Sequence, residues 1–87
     1  MVVVATHPVA VFGGDGRLRS GLIAAPKVTL FKSPHYGGNG DLRRLQAALR
    51  AGSYKTLVLL ARWNSHSATR KLRVLCRRLG VRVVIMP

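Results

Sequence analysis

The chain has almost no negative charge. Of its 87 residues only Asp15 and Asp41 are acidic and there is no Glu, against fifteen Lys and Arg. General acid–base and nucleophilic chemistry usually draws on carboxylates, so this chain has little from which to build an enzyme. Cysteine is nearly missing as well. Cys76 stands alone, which excludes an intrachain disulfide and a Cys-rich zinc module and fits a reducing compartment. Long apolar runs are lacking: residues 1–5 are apolar but too short for a signal h-region or a membrane span. These shortages lead to the expectation of a soluble, cytoplasmic protein with no membrane partner. With no internal repeat or linker, residues 8–87 read as one domain behind an N-terminal arm, residues 1–7, set off by His7-Pro8.

What the chain does have is positive charge on an apolar body. Apolar residues make up 48% and charged residues 20%, so this is not a disordered basic tail. A formal net charge of +13 repels itself in a compact body unless polyanions neutralise it, and nucleic acid is the first partner to consider. A domain this small buries only about 60–65% of the surface its unfolded chain exposes, which favours a homodimer or higher oligomer.

Four segments read as strands: 9–12, 28–31, 55–61 and 81–86, each a short and largely apolar run. Near-continuous apolar strands imply a parallel sheet covered on both faces. Between them lie helical patterns. Residues 41–51 carry Leu42, Leu45 and Leu49 at helical spacing, with Asp41 as N-cap and Gly52 past the end. Residues 65–79 carry the stripe Ala68, Leu72, Leu75, Leu79, with Cys76 a step off it and half-buried, and Gly80 as stop. A short first helix is expected over residues 17–25, weakened by Gly21 and stopped by Pro26.

Alternating strands and helices predict an α/β fold: a small four-stranded parallel sheet, Rossmann- or flavodoxin-like, with strand order 2-1-3-4 and three helices. In that order the second and third helices share one face and the first lies alone on the other. The face over the third and fourth strands would then be bare, which calls for a dimer or for packing by the N-terminal arm.

Doubly wound sheets bind ligands beyond the carboxyl ends of their strands. Three Gly- or Ser-rich turns lie there: Gly13-Gly14-Asp15-Gly16, the stretch from His35 to Gly40, and Asn64-Ser65-His66-Ser67. Backbone amides at such turns, with Arg17, Arg62 and His66 beside them, form a sensible anion site made of Gly13, Gly14, Arg17, His35, Asn64, Ser65 and His66. The glycines fit neither G-x-G-x-x-G nor a Walker pattern, and a plain role in allowing tight turns accounts for them equally well. No pair among His35, His66 and Cys76 has ligand-type spacing, so no metal, haem or other cofactor is expected.

The second site lies on the third helix. Arg70, Lys71, Arg73, Arg77 and Arg78 share it with no acid, so repulsion at i,i+3 and i,i+4 goes uncompensated. A polyanion would relieve it. Phosphate-backbone contact is expected from Arg70, Arg73, Arg77 and Arg78, with Arg17, Arg43, Arg44 and Arg62 near the loop edge. Trp63 and Tyr36 are suited to stacking on unpaired bases, and Trp63 equally to packing in the core. No signature separates DNA from RNA.

From Val11 onward the chain resembles the uncharacterised bacterial family catalogued as domain of unknown function 2325. The resemblance rests on a strand ending in Gly13-Gly14 with Arg17 behind it, and on His35 with Gly37-Gly38 ahead of a Leu-rich helix. It continues through Ser65-His66-x-Ala68 into a basic helix with Cys76-Arg77. It implies a Rossmann-like fold and the grouping of Gly14, Arg17, His35, Ser65 and His66, and supplies no established activity. Where members often carry acids ahead of the Ser-His pair, this chain has Ala61-Arg62-Trp63-Asn64, which leans it toward polyanions.

The expected function is therefore a small basic nucleic-acid-binding protein, not an enzyme. One alternative is a regulatory module that binds a nucleotide or other phosphorylated ligand at the turns. Another is an assembly protein whose arginines meet an acidic partner chain.

Overall fold

Val9-Ala-Val-Phe12 and Thr56-Leu-Val-Leu-Leu60 lack the polar alternation of a half-solvated strand, and both become central strands buried on two faces. The computed structural model describes residues 3–13, 23–33, 40–60 and 66–86. Along the chain these form β1 (Val3–Val4), β2 (Val9–Phe12), β3 (Ile23–Ala24), β4 (Val28–Phe31), α1 (Asp41–Arg50), β5 (Thr56–Leu60), α2 (His66–Leu79) and β6 (Arg82–Met86). The main sheet is four-stranded, wholly parallel and ordered β4-β2-β5-β6.

Its strands are the four segments anticipated from the sequence. Numbered along the whole chain, the order is β4-β2-β5-β6 and not 2-1-3-4, because β1 and β3, a parallel pair forming a second small sheet, enter the count. The helix count differs too: the described residues hold two helices. The helix expected over 17–25 fails at its C-terminal end, where Ile23–Ala24 is strand β3; residues 17–22 lie outside the described residues.

Alternate residues of the strands feed two cores. Ala10, Phe12, Leu57 and Leu59 face the helix layer and pack with Leu45 and Leu49 of α1 and Ala68, Leu72, Leu75 and Cys76 of α2. Val9, Val11 and Val58 face the other way and pack with Val3 and Met86, flanked by Ala5, Ile23 and Ala25. The N-terminal arm thus supplies cover for the face expected to be bare, one of the two solutions anticipated for it. Val3 is 2% exposed, and the Arg82 guanidinium donates to the Val4 carbonyl at 3.3 Å, tying β6 to β1. Over Val58 and Met86 the argument for a dimer falls away, since the chain closes that face itself.

Two further expectations change at the helices. The N-cap of α1 is Gly40, with φ +93° and no side-chain capping bond, and Asp41 is instead the first helical residue. On α2 the stripe curves: Cys76 is fully buried and Leu79 is 42% exposed. Cys76 lies four residues after Leu72 on the sheet side, whereas Leu79 lies in the final turn. Both helices end as the sequence indicated. Gly52 (φ +77°) and Gly80 (φ +71°) hold left-handed conformations costly for other residues. Beyond them Ser53 N–H donates to Ala48 C=O at 3.0 Å and Val81 N–H to Cys76 C=O at 2.9 Å, closing each helix in a Schellman turn.

Candidate nucleic-acid interface

The side of α2 fixed against the sheet determines the side that faces water. With Ala68, Leu72 and Cys76 buried, Arg70, Lys71, Arg73, Arg77 and Arg78 are all exposed. On α1, burial of Leu45 and Leu49 leaves Arg43, Arg44 and Arg50 exposed in the same way. Both helices pack on one face of the sheet, so their cations share one layer.

Little within the chain neutralises that layer. Asp41 accepts the Lys32 backbone N–H at 2.9 Å and also pairs with the Arg44 guanidinium. These contacts, the Lys32 amide first and Arg44 second, hold its carboxyl below the ordinary aspartate value of 3.8. The carboxylate is thereby engaged at the junction of β4 and α1. Asp15, the other acid of the chain, lies outside the described residues. Among the described residues no carboxylate lies against Arg50, Arg70, Lys71, Arg73, Arg77 or Arg78.

The cations of α2 border two open grooves. One, of about 420 Å³, runs between the helices: Gln46 and Arg50 of α1 line one side, Arg70, Lys71 and Arg78 of α2 the other, and Val74 and Leu75 add apolar surface to the α2 side. The second, of about 460 Å³, follows the outer flank of α2 past Arg70, Arg73 and Arg77. Val74, 47% exposed, lies between the two rows of charge.

The structure therefore brings together Arg70, Arg73, Arg77 and Arg78 of the expected set. Arg44 is diverted to Asp41, and Arg43, although exposed, borders neither groove. Arg17 and Arg62 lie outside the described residues, as do Gly14, His35, Asn64, Ser65, Tyr36 and Trp63. Gly13 directly follows β2, buried, with its amide donating to Phe31 C=O at 3.1 Å, and His66 opens α2. The sequence reading missed Arg50 and Val74. In sequence Arg50 is a last-turn cation, a position that complements the helix dipole whatever lies beside it, and only the packing of α1 beside α2 reveals its position. Cys76, expected half-buried, is sealed in the core, and burial pushes its thiol pKa up. No helix among the described residues is long and apolar enough to cross a membrane.

No protein-family model, curated protein or solved structure matches the chain.

Proposed function

We propose that this protein binds nucleic acid, chiefly through phosphate contacts made by the outer surface of the α1–α2 layer. One observation carries the reading. Six cations, Arg50, Arg70, Lys71, Arg73, Arg77 and Arg78, border two adjoining grooves with no carboxylate against them among the described residues. Like charges at i,i+3 and i,i+4 destabilise a helix, and a polyanion turns that repulsion into binding energy by releasing its condensed counterions. Ligands of doubly wound domains usually enter beyond the carboxyl ends of the strands. The cationic layer lies elsewhere, so this reading does not depend on the turns there.

The test is fluorescence anisotropy with labelled oligonucleotides, comparing the wild type with a variant carrying Arg73→Ala, Arg77→Ala and Arg78→Ala. All three side chains are exposed, so the variant keeps its core. Wild-type binding that weakens more than tenfold in the variant supports the reading. Equal affinity of the two proteins, or no binding by the wild type, overturns it.

A further inference from the structure

Resting on that reading, we propose that the groove between α1 and α2 selects single-stranded nucleic acid over duplex. The groove combines two chemistries that a duplex does not satisfy together. Its sides carry cations from both helices, Arg50 on one and Arg70, Lys71 and Arg78 on the other, while Val74 and Leu75 give it apolar surface among those charges. A duplex presents phosphates outward and keeps the faces of its bases stacked inside, so against it this apolar surface would stay wet or meet sugar edges. An unpaired strand presents phosphate and base face together, the pairing that single-strand grooves use.

The packing of the helices argues the same way. Major-groove readers insert one helix between the two phosphate backbones, in a groove about 12 Å wide. Here α1 and α2 lie side by side on one sheet face, α1 fixed through Leu45 and Leu49 and α2 through Leu72 and Cys76. On the side that carries Lys71, Leu75 and Arg78, α2 is therefore flanked by α1 and is not a lone projecting helix. The channel between the helices runs from Ser67 to Arg78, about 16 Å along α2 at 1.5 Å per residue. A single strand can lie along such a channel.

Substituting Val74 separates this inference from simple charge attraction. Val74 is 47% exposed, so Val74→Lys is compatible with folding, which a thermal melt verifies. If the surface only attracts phosphates, an added lysine tightens binding to every strand. If bases lie on the apolar surface, the lysine displaces them.

The experiment measures anisotropy of labelled oligothymidylate and of a mixed-sequence duplex of equal length, at one salt concentration, with wild type, Val74→Lys, Arg50→Ala and Arg73→Ala. The expected result is single-strand binding about tenfold tighter than duplex binding, the scale of one base contact. Val74→Lys should weaken the single strand several-fold while leaving the duplex equal or tighter. Arg50→Ala, which removes a cation from the α1 side of the groove, should weaken the single strand more than Arg73→Ala, which removes the same charge from the outer flank. Duplex binding as tight as single-strand binding, or a tighter single strand with Val74→Lys, overturns the groove inference and leaves phosphate binding in place. Absence of binding to either oligonucleotide overturns both.

Discussion

Replacing Asp41 with Asn should destabilise the protein at neutral pH and, in the same molecule, strengthen its hold on polyanions. Asp41 is the carboxylate that joins the end of β4 to the start of α1, through the Lys32 amide and the Arg44 guanidinium. A hydrogen bond to a charged group contributes about 1.5–3 kcal/mol, and Asn retains a neutral acceptor worth about 1 of that. The favourable interaction of a negative charge with the helix N-terminus adds about 0.3–1 kcal/mol. The Arg44 pair adds little, about 0.2–1 kcal/mol, because the arginine side chain is 69% exposed. Together Asp41→Asn should cost about 1–4 kcal/mol, a fall in Tm of about 4–8 °C for each kcal/mol in a domain of this size.

The pH dependence has a fixed sign. The folded-state pKa of Asp41 lies below its ordinary value of 3.8. Its charge therefore contributes stability in full above that value and loses it as pH falls through the lower, folded-state value. Melting curves of the two proteins should differ at neutral pH and converge in strong acid. The substitution also frees Arg44 and raises the formal net charge from +13 to +14 (13 + 1), so oligonucleotide affinity should rise. Identical melting temperatures at pH 7, or a gap that persists in acid, would refute the assigned contacts.

Two further outcomes test the core. Val3→Ala removes buried apolar volume from the face closed by β1 and should cost about 1.5 kcal/mol at about 0.8 kcal/mol per methylene. Because the cover belongs to the same chain, the loss in Tm should not vary with protein concentration; a concentration-dependent loss would mean that a second copy covers this face. Cys76, fully buried with its thiol pKa raised, should resist a thiol-specific reagent in the native protein and react once the protein is denatured, since the thiolate is the reacting species. Rapid native modification would contradict its place in the core.

Much of this architecture was legible in the sequence because it is local. The main strands are uninterrupted apolar runs, and the helices carry leucines at steps of three and four ended by Gly52 and Gly80. The strands β1 and β3 were not legible. Each has two residues, too few to show a period, and Val3 pairs with Ile23 and Val4 with Ala24, far apart in the chain. Ile23 and Ala24 lie in a stretch whose local pattern also fits a helix. The exchange of Cys76 for Leu79 reflects where α2 leaves the sheet, which helical spacing alone does not encode. At the interface, the charges of α2 could be assigned to its solvent side from the leucine stripe. That Arg50 joins them and that Arg44 leaves for Asp41 depends on tertiary contacts between elements distant in sequence.

The salt dependence of oligonucleotide binding tests the central claim most directly. With the six cations of the two grooves engaging oligonucleotide phosphates, at about 0.7–0.9 counterions released per contact, the slope of log affinity against log salt should be about −4 to −5, a loss of about 300- to 1,000-fold between 50 and 200 mM. Removing Arg73, Arg77 and Arg78 should halve it. A wild-type slope shallower than about −1, or a slope unchanged in the triple variant, would contradict phosphate binding by this face.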